Sequence, residues 1–63
     1  PPVLPASGFD LDQYLADIEK KLLQQALEQA HGVKLKAAEL LRISFRSFRY
    51  RLIKYGLATE DEN

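Results

Sequence analysis

From Leu11 onward, apolar residues recur at spacings of three and four. Leu11, Leu15, Ile18, Leu22 and Ala26 make one stripe, and Leu23, Leu27 and Ala30 make a second beside it, the mark of an amphipathic helix. The pattern predicts a first helix from about Leu11 to Ala30. Two adjoining stripes are wider than one small partner helix covers, so one can serve the chain's own core and the other a second copy. We assign Leu11, Leu15, Ile18, Leu22 and Ala26 to the pairing surface. Asp10 is an N-cap, Gln13 three residues on can complete a capping box, and Phe9 can staple onto Tyr14. Asp12 adds negative charge where the helix dipole favours it, and Asp17 stands four residues before Lys21, the favourable order for an ion pair. The helix should stop near His31-Gly32, with Gly32 taking the left-handed cap.

A shorter helix is expected from about Lys34 to Leu41. Ala37 and Ala38 are small enough for another helix to approach, and Leu40 and Leu41 give an apolar side. Its start is poorly capped, because Val33 has no side-chain acceptor. A turn follows over Leu41-Arg42-Ile43-Ser44, with Ile43 as its apolar plug and Ser44 as the next N-cap. The third helix should run from Phe45 to Tyr55 and close on Gly56-Leu57, Leu57 folding back onto Leu52. Phe48, Leu52 and Tyr55 mark its inward face, which leaves Arg46, Arg49, Tyr50 and Arg51 outside. The expected architecture is all-α with three helices. Residues 1–9, which hold all three prolines, read as a flexible linker. Residues 10–57 read as the folded domain and 58–63 as a frayed acidic tail. The prolines at the start and the missing initiator methionine suggest a piece from the end of a longer protein.

Size changes this picture. Sixty-three residues make one small domain, and such a chain buries only about 60% of its unfolded surface. There is no cysteine and one histidine, so neither a disulfide nor a metal cage is expected to reinforce it, and oligomerisation is the remaining remedy. A helical homodimer is therefore expected. No apolar run approaches the length of a membrane span and no signal-peptide pattern is present, so the cytoplasm is the default location. His31 reads as a helix-terminal residue, and no second histidine, cysteine or carboxylate pair suggests catalysis. Asp10-Leu11-Asp12 lacks the rest of a calcium loop. Neither an enzyme nor a cofactor is expected.

Charge is the feature that points to a partner. Residues 32–57 hold seven of the nine basic residues (Lys34, Lys36, Arg42, Arg46, Arg49, Arg51 and Lys54) against the single acid Glu39, a net charge of +6. Residues 1–31 carry a net −3, and Glu60, Asp61 and Glu62 add another −3, so the formal total is zero. A basic block between acidic flanks is the footprint of a domain that docks on a polyanion.

A short helix, a turn and a second helix bearing arginines make a helix-turn-helix. The matching residues are Lys36-Ala37-Ala38-Glu39-Leu40-Leu41, Ile43-Ser44, Ser47, Arg49, Leu52 and Lys54-Tyr55-Gly56-Leu57. Through them the chain resembles the Fis-type helix-turn-helix family, which includes the C-terminal domains of NtrC-family, sigma-54-dependent activators. Leu15 to Gly32 is similar to the family's dimerisation helix. The resemblance implies a symmetric homodimer whose third helices enter successive major grooves on one face of double-stranded DNA. It also implies a bacterial, nucleoid-associated setting and a parent protein with a central ATPase acting on sigma-54 RNA polymerase. This chain departs from the family pattern at three places. Arg42 stands where glycine is usual, at a cost on the order of 1 kcal/mol if the position is left-handed. Val33 and Leu35 stand where polar residues often hold the nucleic-acid backbone. Phe45 replaces a base-reading arginine, so a different sequence preference is expected.

Within this reading, Lys34, Lys36, Arg42, Ser47, Arg49 and Arg51 are the phosphate contacts, which supply affinity through counterion release. Ser44, Phe45, Arg46, Arg49 and Tyr50 are the base contacts, carried on the first turns of the reading helix. Each has a plainer alternative. Phe45 either packs on thymine methyls or covers the turn, Ser44 either caps or also contacts DNA, and Tyr50 either meets a phosphate or shields apolar surface. Two rival functions stay open at this point. One is a dimerisation module whose basic face meets an acidic protein, and the other is architectural DNA bending with little sequence choice.

Overall fold

Each helix of this chain is set by what closes its ends. The computed structural model describes residues 3–59, and Pro1, Pro2 and the acidic residues Glu60, Asp61 and Glu62 lie outside that range. The described residues form α1 (Leu11–Gln29), α2 (Lys34–Leu40) and α3 (Phe45–Lys54), with no strand among them. Asp10 caps α1 as expected, its carboxylate accepting the Gln13 backbone N–H at 3.0 Å. The reciprocal half of the capping box does not form. The Gln13 side-chain amide donates instead to Asp17 at 2.9 Å, because a carboxylate one turn along is a charge-assisted acceptor. The Phe9 and Tyr14 rings meet at 5.0 Å between centroids with a 60° tilt, so the staple is present. Val33 gives α2 no side-chain cap, whereas Ser44 caps α3 by accepting the Ser47 N–H at 3.0 Å.

All three helices end in the same hydrogen-bonded turn, the Schellman pattern. His31 N–H donates to the Glu28 carbonyl (3.1 Å) and Gly32 N–H to that of Leu27 (2.8 Å). Arg42 N–H donates to Glu39 (3.0 Å) and Ile43 N–H to Ala38 (3.1 Å). Gly56 N–H donates to Ile53 (3.0 Å) and Leu57 N–H to Leu52 (2.8 Å). The left-handed residues of these turns are His31 at φ 54°, Arg42 at φ 56° and Gly56 at φ 72°. The expected cap on α1 is thus displaced by one residue: His31 takes it, and Gly32 follows at φ 84°. The left-handed conformation costs a side-chain-bearing residue on the order of 1 kcal/mol, offset here by the carbonyls that each turn satisfies.

Among the described residues the core is a single small cluster. Leu23, Ala26 and Ala30 of the α1 end, Ala37 and Ala38 of α2, and Phe48 and Leu52 of α3 are all buried in it. Leu27, Leu41, Ile43, Tyr55, Leu57 and Ala58 pack around its edge, so Ile43 plugs the turn and Leu57 folds back as expected. Leu11, Leu15, Ile18 and Leu22 remain 40–58% exposed. Ala26, grouped with them by spacing, is only 4% exposed and belongs to the chain's own core. The reason is angular. Successive residues turn by about 100° around a helix axis, which sets Ala26 between the two stripes, and the core reaches far enough round to cover so small a side chain. The first turns of α1 therefore run beyond the core, and the molecule measures 43 × 23 × 17 Å.

Overpacking should be felt most where α2 carries no side-chain bulk. Ala38→Leu is expected to destabilise the fold by about 1–3 kcal/mol, whereas Glu39→Gln, on the exposed side, should change it by less than about 0.5 kcal/mol. Urea denaturation followed by circular dichroism measures both.

Candidate nucleic-acid interface

Helix α3 presents different chemistry on each of its sides. At about 100° per residue, Arg46 and Tyr50 fall opposite the buried Phe48 and Leu52. Tyr50 is 67% exposed, so it shields little apolar surface. Arg46 is exposed and Arg49 half-buried on one flank. Phe45, in the first turn, keeps 37% of its surface exposed, so most of the ring is covered. The Ser44 oxygen accepts the Ser47 N–H, and its own hydroxyl hydrogen is left to donate elsewhere. Ser44, Phe45, Arg46, Arg49 and Tyr50 thus gather on the first turns of α3. Of the expected phosphate contacts, exposed Lys36 and half-buried Lys34 lie in the first turn of α2, and exposed Arg42 lies in the turn that joins α2 to α3.

The other flank of α3 faces α1, and there the chemistry is internal. Arg51 donates through Nη1 to the Glu19 carboxylate and through Nε to the Ser47 hydroxyl at 3.1 Å. The Tyr55 hydroxyl donates to the second Glu19 oxygen. Lys54 sits over the Tyr55 ring, 5.4 Å from its centroid. The Tyr55 hydrogen bond holds the Glu19 carboxyl below its ordinary range, against the opposing effect of burial and with help from the Arg51 charge. The same bond, with burial and the negative Glu19 beside it, pushes the Tyr55 phenol up. Arg51 and Ser47, expected on phosphate, are therefore partners of one another and, for Arg51, of Glu19.

Glu19 and the Tyr55 hydroxyl are absent from the sequence-derived site, and Lys54 appears there only as part of the basic block. A signal for Glu19 exists. It lies four residues before Leu23 and seven before Ala26, on the line of the core stripe, where an acid needs a partner. Beside it, Leu22, Leu23, Leu41 and Ile43 line an open groove of about 190 Å³ whose wall also includes Glu19 and Arg51. Leu22 belongs both to this groove and to the exposed stripe of Leu11, Leu15 and Ile18, which lies about 100° round α1 from the core face.

Comparison with known proteins places this geometry. The profile of a family described as "Bacterial regulatory protein, Fis family" matches residues 14–55, which span most of α1 and all of α2 and α3. Response regulator protein PilR of Pseudomonas aeruginosa is 50% identical over 48 residues, covering 76% of this chain and 11% of that protein. Regulatory protein AtoC of Escherichia coli is 32% identical over 57 residues, covering 90% of this chain and 12% of that protein. No solved structure matches. No helix among the described residues is long and apolar enough to cross a membrane.

The Glu19–Tyr55 pair carries a pH signature at both ends of the scale. The folded pKa of Glu19 is lowered from 4.5, so its contribution to stability is present above that value and is lost as pH falls through the folded pKa. The folded pKa of Tyr55 is raised from 10.0, so its contribution is present below that value and is lost as pH rises through the folded pKa. Thermal melts from pH 2 to 12 should show Glu19→Gln flattening the acid limb and Tyr55→Phe the alkaline limb. An acid limb unchanged by Glu19→Gln would show that the pair is not formed.

Proposed function

Because the chain belongs to the Fis family of bacterial regulatory proteins, whose helix-turn-helix is a DNA-binding module, we propose that two copies bind double-stranded DNA in sequence-specific fashion. In this reading the first turns of α3 enter the major groove. The observation that carries it is the division of α3. Phe48 and Leu52 anchor one side fully in the core, and Arg46 and Tyr50 stand on the opposite side in solvent. A helix so held, introduced by α2 through a short turn, is free to project along its whole outer edge. Arg46 can pair with guanine O6 and N7, and Arg49, Ser44, Phe45 and Tyr50 frame it. Lys34, Lys36 and Arg42 meet the flanking phosphates, where each cation releases counterions.

Leu11, Leu15, Ile18 and Leu22 are the surface through which the second copy pairs, since a continuous apolar stripe on a projecting helix is otherwise left in water. The chain spans only about a tenth of the relatives named above (11% and 12%). By resemblance, the rest of the protein is a response regulator with a central ATPase that acts on sigma-54 RNA polymerase in the bacterial cytoplasm.

Fluorescence anisotropy with a duplex selected from a randomised pool tests the reading. The log–log dependence of affinity on salt should have a slope near −0.9 per phosphate neutralised, and a flat line would sink the proposal. Arg46→Gln should cost about 1–3 kcal/mol of discrimination against a scrambled duplex. Equal affinity of the wild type for both duplexes would favour architectural binding instead. Leu15→Asp should separate the copies in sedimentation equilibrium and lower Tm together. A wild-type Tm that does not change with protein concentration would argue against an obligate dimer.

A further inference from the structure

Arg51 has the sequence context of a DNA contact and the geometry of a strut. Its guanidinium is bound to Glu19 of α1 and to Ser47 one turn back on its own helix, and Tyr55 takes the remaining Glu19 oxygen. We propose that Glu19, Arg51 and Tyr55 form an interhelix tie that positions the reading helix relative to the pairing helix, and that Arg51 is withheld from DNA by this tie. The inference rests on the DNA-binding reading given above.

The case is geometric. The residues that the α1 segment adds to the core shared with α3, Leu23, Ala26 and Ala30, all lie toward its C-terminal end. A contact near one end of a helix leaves the partner able to swing about it. Glu19 lies one turn further along α1, about 6 Å from Leu23 along the axis, and its carboxylate holds two groups on successive turns of α3. A second fixing point converts a pivot into a set angle. The side chains of Arg51 and Glu19 are 40% and 27% exposed, and ion pairs that exposed stabilise a fold only slightly. Orientation is the larger consequence. Leu15, Ile18 and Leu22, the proposed pairing residues, flank Glu19 on the same helix. The tie therefore sets how far apart, and at what angle, two reading helices stand in a paired molecule.

The test compares the full 63-residue chain with its Lys36→Gln, Arg51→Gln, Arg51→Lys, Glu19→Gln and Tyr55→Phe variants. Each is titrated against the selected and scrambled duplexes at several salt concentrations, at a temperature where circular dichroism shows it folded. Lys36→Gln, which removes an exposed cation placed on phosphate, should make the salt slope shallower by about 0.9. Arg51→Gln should leave the slope unchanged while lowering the selected-to-scrambled affinity ratio by roughly three- to tenfold, within the usual range for coupled residues. Glu19→Gln should lower that ratio by a similar factor, and the Glu19→Gln, Arg51→Gln double variant no further. Arg51→Lys, which keeps the charge, should recover part of the loss. Tyr55→Phe, which keeps the packed ring, provides the same readout should the charge variants prove unstable. A slope made shallower by Arg51→Gln as much as by Lys36→Gln would show Arg51 on phosphate and overturn the proposal. So would a ratio unmoved by Glu19→Gln and Tyr55→Phe. A flat slope for the wild type would remove the DNA-binding reading itself, and the tie's role with it.

Discussion

The domain depends on one constraint: three helices must share a core that, among the described residues, holds seven buried apolar side chains. The solution is to make α2 thin. Ala37 and Ala38 present almost no side-chain thickness where the helices cross, and both are completely or almost completely buried. Their smallness lets the larger Leu23, Phe48 and Leu52 occupy the shared space from either side. Close packing of this kind tolerates changes of a methylene only at a cost, so the direction of α3 is coupled tightly to that of α2. What the outer side of α3 presents takes its aim relative to α2 from this cluster.

A small core also leaves little room for loops, and the chain turns corners by reusing one device. The three Schellman turns reverse direction within a few residues while consuming the carbonyls that each helix end exposes. Only the last uses glycine at the left-handed position. At the first, glycine is present in the next position but the turn is built on His31. At the second, Arg42 accepts an unfavourable backbone conformation between the two helices of the helix-turn-helix. That places a cation at the corner where α2 hands over to α3, and a glycine there would be less strained but uncharged.

Local signals in the sequence were the most legible. Asp10, Ser44, the Phe9–Tyr14 staple and the Leu52–Leu57 closure each involve residues within five positions, so residue type and spacing are enough to place them. The inward face of α3 was equally plain, since Phe48 and Leu52 stand four apart between cations. What spacing cannot decide is where a boundary falls between two stripes. Ala26 sits at that boundary, and its small side chain is covered by whichever surface comes closer. Gln13 shows the same limit on a smaller scale, because two acceptors lie within its reach and only the folded geometry chooses. The Glu19–Arg51–Tyr55 contacts join residues more than thirty positions apart. No periodicity reports a pairing of that kind, although an acid on the line of a core stripe hints at one.

The consequence for function is that formal charge overstates what this surface can offer a polyanion. The basic block counts seven cations in the sequence, but the fold divides them. Arg51 is bound to Glu19 and Ser47, and Lys54 lies over the Tyr55 ring at the far end of α3. In the C-terminal part of the helix the flank facing α1 is thereby engaged with the scaffold, and the N-terminal part carries Arg46 and Arg49 with Tyr50 and the edge of Phe45. Under the proposed function, an incoming duplex would meet a short, chemically mixed patch with Lys34, Lys36 and Arg42 at its margins. A uniform basic stripe would bind any phosphate backbone with similar strength. A patch with aromatic groups beside the Arg46 and Arg49 guanidinium groups depends more on which bases it meets, because apolar contacts and bidentate pairs both vary with base identity. Under the proposed function, pairing Arg51 with Glu19 would thus move the balance from affinity toward discrimination.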